Sequence, residues 1–281
     1  MTHAHHQTAS PEAEPFTKAL ERMNRFQEPE ARALIADLGL PEGSHGLDAG
    51  CGVGLWALWL AEAVGPQGRV VGIEPSAERV EAARALIADA LPATRLEFRR
   101  GDATAIDAPD ATFDWVWCGD VLHHVQETHR ALREFVRVLR PDGRIIVKES
   151  QLLHALFLPG HPALERRLRQ AEMEASRHEG GEFSFEERRQ RTLAWLRAAG
   201  LRVETFRTYL LERRAPLPEA AQDYIQRVVF ERNWGPRIHD LIAPGDREQR
   251  SAVCDAGSPA FILDDPDYYC LYPISVLAAR R

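Results

Sequence analysis

The stretch Leu47-Asp48-Ala49-Gly50-Cys51-Gly52-Val53-Gly54 restricts this chain more than any other. A short apolar run meets three glycines at alternate positions, and Leu55-Trp56-Ala57-Leu58-Trp59-Leu60 then opens a helix. Glycines so spaced let the backbone turn tightly and approach a ligand with no Cβ in the way. A strand, a glycine loop and a helix in that order mark a nucleotide-type site at the carboxyl edge of a parallel sheet. The spacing is GxGxG and not the GxGxxG of dinucleotide enzymes. Asp48 stands just before the glycines, where its carboxylate would oppose a pyrophosphate and accept a cationic ligand.

A second strand, Arg69-Val70-Val71-Gly72-Ile73, ends at Glu74-Pro75-Ser76. Glu74 follows Gly54 by 20 residues, about where a ribose-binding carboxylate is expected. That interval suits NAD and S-adenosylmethionine alike, since both carry a ribose diol. The sulfonium and amino groups of the latter fit Asp48 better. A third strand, Leu96–Arg99, leads to Gly101-Asp102-Ala103, a carboxylate placed for an exocyclic amine. A fourth, Phe113–Trp117, ends in Cys118-Gly119-Asp120-Val121-Leu122-His123-His124. Arg137–Gly143 reads as a helix closed by a Pro-Asp-Gly turn that launches Arg144-Ile145-Ile146-Val147.

Taken together, LDAGCGVG, GIEPS, GDA, FDWVWCGDVLHHV and RVLRPDGRIIV resemble, in order and spacing, the class I S-adenosylmethionine-dependent methyltransferases. The branch most resembled is the small-molecule one that includes the ubiquinone/menaquinone-biosynthesis enzymes. The match covers roughly residues 45–150, with a weaker echo around 192–210. The resemblance implies an α/β, Rossmann-like fold. Its sheet would have seven strands, mostly parallel with the last antiparallel, helices on both faces, and helical insertions over the strand ends. It implies a cofactor, S-adenosyl-L-methionine, laid across the first four strand ends. The residues that would hold it are Asp48, Gly50, Cys51, Gly52, Glu74, Pro75, Asp102, Ala103, Cys118 and Gly119. Glu74 would take the ribose hydroxyls, and the adenine would lie near Asp102 and Ala103 against a wall that includes Pro75.

Composition sets the remaining limits. The 281 residues, 44% of them hydrophobic, can form one enlarged α/β domain. A net charge of −7 argues against a nucleic-acid partner. No apolar run approaches the ~20 residues of a membrane span. Met1–His6 lack the basic-then-apolar order of a signal peptide. Cys51, Cys118, Cys254 and Cys270 give neither a zinc spacing nor a disulfide framework, so the expectation is reduced thiols, no metal and a cytoplasmic protein.

Three segments lie outside the recognisable core of this single domain, taken as 13–281. Residues 1–12 read as a disordered tail. Residues 13–38 read as two helices, the second opened by Pro29, covering the cofactor or simply packing on the sheet. Residues 150–190 and 211–265 read as substrate-covering insertions. The first contains a charged helix, Ala163–Arg177, read as a solvated face, and a second helix over 186–199 capped by Gly200. His154, Phe157, Tyr224 and Trp234 are the candidate substrate contacts of a small, mostly apolar acceptor. Apolar helices of this kind serve a homodimer interface as readily as a roof.

Methyl transfer is an in-line displacement on an activated sulfonium, so alignment and desolvation do much of the work. His123 and His124 are the candidate general bases where the acceptor must lose a proton. The acceptor atom, whether oxygen, carbon, nitrogen or sulfur, stays open. Two other readings stand beside this one. One is a family member that binds the cofactor without transferring methyl, as scaffold or cyclase. The other is an NAD-dependent oxidoreductase, against which GxGxG, Asp48 and the Gly101-Asp102-Ala103 turn all count.

Overall fold

The computed structural model describes residues 16–88, 90–92, 95–176 and 183–281. Seven strands form one sheet: β1 (His45–Ala49), β2 (Arg69–Glu74), β3 (Leu96–Arg100), β4 (Phe113–Gly119), β5 (Leu139–Ser150), β6 (Arg202–Arg214) and β7 (Tyr269–Arg280). Their order is β3-β2-β1-β4-β5-β7-β6. The first five run parallel, and β7 runs antiparallel to both neighbours. Chain order reverses between β1 and β4. The loops leaving these two strands therefore diverge to opposite sides and open a crevice at the carboxyl edge.

β1, β4 and the part of β5 from Ile145 to Ser150 are buried almost throughout, which fits a sheet covered on both faces. One face packs on α1 (Phe16–Leu38), α2 (Leu55–Ala63) and α3 (Ala77–Leu86). The other packs on α4 (Thr128–Val138), where Ala131, Leu132, Phe135 and Val138 form the buried stripe, and on α7 (Thr192–Ala198) through Leu196. α5 (Pro162–Ser176) and α6 (Phe185–Gln190) precede α7. Between β6 and β7 come α8 (Glu219–Asp223), a π-helix (Tyr224–Asn233), a short 3-10 helix (Pro236–Leu241) and α9 (Pro244–Cys254). No described helix is long and apolar enough to cross a membrane.

Several local expectations need correction. Residues 16–38 are one helix, not two, and Pro29 lies inside it. Pro29 is exposed, so the carbonyl it leaves unpaired faces water, while Phe26, Ala31, Leu34 and Ile35 hold one continuous buried face. The Pro-Asp-Gly stretch does not separate helix from strand. β5 starts at Leu139, and Arg140–Gly143 bulge from it between the pairs Phe113↔Leu139 and Trp115↔Arg144. The sixth strand runs on to Arg214, because a 12-residue β7 pairs with it from Arg202 to Arg214.

The helix expected over 186–199 is divided at Arg191 into α6 and α7. α6 opens with a reciprocal capping box between Ser184 and Glu187. Gly200 adopts φ +78°, as its capping place requires. The charged helix α5 is not solely a solvated face. Glu165 and Arg169 are buried and paired at 2.6 Å. Glu165 accepts from the Phe157 and Leu158 amides, and Arg169 donates to the Leu152 and Ala155 carbonyls. The expected tail, residues 1–12, and the Gly180-Gly181 loop lie outside the described residues.

Candidate cofactor cleft and acceptor site

The glycine loop is tied to β2 by two amides, Gly50 and Cys51, which donate to the Ile73 carbonyl at 2.8 and 3.0 Å. Gly50 and Gly52 hold φ of +88° and +55°, a backbone that side-chain-bearing residues rarely adopt. Both are also closely covered. A Cβ on Gly50 would meet Val121 Cγ2 at 2.3 Å, and one on Gly52 would meet Leu20 Cδ2 at 2.6 Å. Leu20 belongs to α1, so the N-terminal helix lies directly over the loop.

Two carboxyl groups sit at the neighbouring strand ends. Glu74 is nearly buried and receives the Gly52 amide (3.2 Å), the Ser76 amide (3.1 Å) and Arg79 Nε (2.8 Å). Asp48 is 1% exposed, and its Oδ2 has no hydrogen-bond partner. Burial, and then the proximity of Glu74, push the Asp48 carboxyl up to about 8. An orphaned buried carboxyl oxygen costs stability, so a group so placed marks a site held ready for a partner.

Cys51 is buried beside this loop, and Cys118 is fully buried in the opposite core layer, under the end of β4. Burial raises both thiols well above their ordinary range. Pro75 and Asp102 are exposed, and Ala103 is buried at the rim. Asp102 Oδ1 accepts from the Thr104 amide and hydroxyl at 2.8 and 2.9 Å, which fixes the turn. Gly119 ends β4, on the other side of β1.

The carboxyl ends of β4 and β5 carry a second, denser polar cluster, whose Gln27, Lys148, Glu149 and Ser150 the sequence reading did not single out as site residues. Asp120, with a left-handed φ of +55°, accepts from the Ser150 amide at 2.7 Å, from the Ser150 hydroxyl and from Lys148. Lys148 also donates to Gln27 Oε1 and Ser150 Oγ, both at 3.0 Å, and lies 5.3 Å from the Trp56 ring centre. The Lys148 ammonium beside Asp120 holds that carboxyl far below the usual range. Lys148 is one of only two lysines in the chain. The run Lys-Glu-Ser after Ile-Ile-Val in a core strand was the available signal.

His123 is fully buried and engaged at both ring nitrogens. Nε2 lies 2.8 Å from Arg189 Nη2 and Nδ1 lies 2.8 Å from Glu149 Oε2. A guanidinium can only donate, so Nε2 accepts and Nδ1 carries the proton toward Glu149. Desolvation, with Arg189 close by, drives His123 well below its ordinary value, so the ring is neutral. Burial and Asp120 push Glu149 up to about 8. From α6, Arg188 donates to the His123 and Val125 carbonyls and fastens this loop. His124 is exposed, with its ring 4.5 Å from that of Phe185.

Three of the four expected acceptor contacts meet. Phe157, Tyr224 and Trp234 are all buried and belong to one aromatic cluster with Phe26 and Tyr272. Tyr224 stacks on Phe26 of α1 at 4.7 Å, so the insertion between β6 and β7 is bolted to the N-terminal helix. Gln27 joins this cluster to the polar one, donating to the Tyr272 hydroxyl at 3.2 Å. His154 is exposed and stands apart. Among the described residues the aromatic side chains Phe157, Tyr224 and Trp234 of the insertions are buried within the chain.

Residues 47–147 match a family model described as a methyltransferase domain. Over 108 residues the chain is 37% identical to a demethylmenaquinone methyltransferase of Bacillus cereus, covering 38% of this chain and 45% of that one. Over 116 residues it is 38% identical to the enzyme of the same name from Shouchella clausii, covering 41% and 49%. The chain thus spans just under half the length of either relative. A solved structure, a putative type II methyltransferase from Anaeromyxobacter dehalogenans, superposes with a TM-score of 0.61 at 20% identity, over 89% of this chain and 95% of that one. At that identity the likeness speaks for the fold.

Proposed function

We propose that this chain, whose residues 47–147 match a methyltransferase domain, binds S-adenosylmethionine and transfers its methyl group to a small, largely apolar acceptor. The observation that carries this reading is the orphaned Asp48 carboxyl beside the two positive-φ glycines and Glu74. The residues fit the group. Asp48, protonated in the free fold, would give up its proton and face an ammonium as a carboxylate, Gly50 and Gly52 allow a close backbone approach, and Glu74 offers carboxylate oxygens to a ribose diol. Asp102 and Ala103 would receive the adenine, with Pro75 beside it, and Cys51, Gly119 and the backbone of Cys118, whose side chain is buried in the opposite layer, would complete the wall. When bound, the cofactor supplies an activated methyl on a sulfonium.

The chain's own residues then orient and dry the reaction. Leu20 and Val121 lie over the glycines and move aside or pack on the ligand. The described parts of the segments 13–38, 150–190 and 211–265 form the cover, within one domain, and Phe157, Tyr224 and Trp234 give it an apolar lining. His154 belongs to its rim. We assign proton removal, for an acceptor that needs it, to His124, an exposed residue whose ring is held neutral by desolvation and the neighbouring His123, with its pKa well below the ordinary value. His123, engaged at both nitrogens, positions that loop.

Calorimetry with S-adenosylmethionine and with NAD, followed by mass spectrometry of a metabolite extract incubated with methyl-labelled cofactor, tests the proposal. Binding of the first alone and label in a small molecule are the expected results. Binding of NAD, or label transferred only to a macromolecule, would overturn it.

A further inference from the structure

β6 is an edge of the sheet: β7 pairs with one side of it, and no described strand pairs with the other. Natural edges are commonly shortened, kinked by proline or armed with inward charges, because unpaired backbone groups invite another strand. This edge has a bulge between Val203 and Thr205, and from there to Arg214 it runs regularly and without proline. Its side chains are exposed far beyond what an edge requires. Phe206 is 60% and Leu210 53% exposed, and Tyr269, opposite Arg214, is 40% exposed. Alternation puts all three on one face of the sheet. Among the described residues these are three of the five large hydrophobic side chains left in water.

The order of residues along this edge says what would cover it. Around Thr208 the pattern is symmetric: Phe206 and Leu210 flank it on one face, and Arg207 and Tyr209 on the other. A two-fold axis through Thr208 sets Phe206 against the partner copy's apolar position 210, and Arg207 against its aromatic position 209. The arginine and tyrosine already meet within one chain, the guanidinium 6.0 Å from the ring centre. No pair between positions 205 and 211 brings like charges together. Beyond them the axis sets Glu204 against the partner copy's acidic position 212 and Arg202 against its basic position 214, and each of these charges is offset by one of opposite sign in its own chain, Glu204 by Arg202 at 2.8 Å and Glu212 by Arg214 at 2.5 Å. Cross-strand pairs of these kinds are the units that stabilise an antiparallel ladder.

We propose that two copies of this chain pair edge to edge through β6, antiparallel about a two-fold axis at Thr208, so that the sheet continues from one copy into the other. The contact is isologous, with the same patch used on both sides. It is independent of the cofactor cleft, which lies at the β1–β4 reversal.

A cysteine scan on the full chain reads the register directly. Residues facing each other across an antiparallel pair have Cα atoms about 4.5–5.5 Å apart, within the span of a disulfide. Thr208→Cys should therefore cross-link rapidly in a glutathione buffer. Arg214→Cys should not, since its two copies lie about 40 Å apart at ~3.3 Å per residue. The four native cysteines are buried and give little background. Light scattering should report a dimer for the unmodified chain and half that mass for Leu210→Lys, with cofactor affinity unchanged. A monomer at every concentration, equal cross-linking of both cysteine variants, or a dimer untouched by Leu210→Lys would overturn the proposal. Binding of an unrelated extended peptide at this edge by the unmodified monomer would do the same.

Discussion

Replacing Asp48 with asparagine isolates the cost of a carboxyl that the fold buries without a partner. Asp48 is 1% exposed, and burial with Glu74 moves its pKa from 3.8 to about 8. Around neutral pH the folded chain therefore holds a proton here that the unfolded chain has released. Wherever the native state binds more protons, stability falls as pH rises. The group's contribution is thus fully present below the unfolded pKa and is lost as pH climbs toward the folded one. Each pH unit in that window is worth about 1.4 kcal/mol, so the penalty reaches about 4 kcal/mol near neutrality, as an upper bound. Asparagine keeps the shape and cannot ionise. In urea titrations followed by tryptophan fluorescence, Asp48→Asn should match the parent near pH ~4, exceed it by several kcal/mol near pH ~7 and level off above pH ~8. Calorimetry on the same variant should show weaker cofactor binding, because asparagine cannot ionise against the ammonium as the buried carboxyl can. Parallel stability curves for the two proteins, or a less stable variant at neutral pH, would refute the argument. Asp48 would then be ionised and partnered in the free fold.

The other predictions probe separate parts of the molecule. Glu74→Ala should weaken cofactor binding by about 1.5–3 kcal/mol, the worth of hydrogen bonds to a charged group, and unchanged affinity in calorimetry would remove Glu74 from the site. Gly52→Val, with φ of +55° and a Cβ 2.6 Å from Leu20 Cδ2, should abolish binding while circular dichroism shows the fold intact. Glu165→Ala should destabilise by about 3–5 kcal/mol, since it leaves Arg169 buried without its counter-charge, and chemical denaturation measures this. His123 is held neutral with its pKa well below 6.5, so its contribution is present above that value and lost as pH falls below it. His123→Gln should therefore flatten the acid side of the thermal stability profile, and an unchanged slope would show that the ring is not held neutral.

Much of the site was legible because it is local. Asp48, the three glycines and Glu74 lie within two strand–loop units, and their spacing alone places them at adjacent strand ends. Most of the parallel strands were equally plain, since a strand buried on both faces is a continuous apolar run, whereas β3, Leu96–Arg100, shows alternation and charge. β6 showed only its first half, because an edge strand with most side chains in water leaves no two-residue burial pattern. Pro29 signalled a helix start that the buried face from Ala19 to Ile35 overrides.

What sequence could not supply was the pairing of distant charges. Lys148 meets Gln27 of α1 and Asp120 of the β4 loop, and Arg189 of α6 reaches back to His123. Whether a histidine there is a free base or a neutral strut depends on which side chains the fold brings to its two nitrogens, and no spacing along the chain encodes that. The same holds for α5, whose Glu165 and Arg169 looked like surface charges. They became internal because the backbone they satisfy, from Leu152 to Leu158, is folded beneath them. Local spacing determined the cofactor cleft, and tertiary packing decided its polar surroundings, because burying a charge requires partners that only the assembled fold can bring within reach.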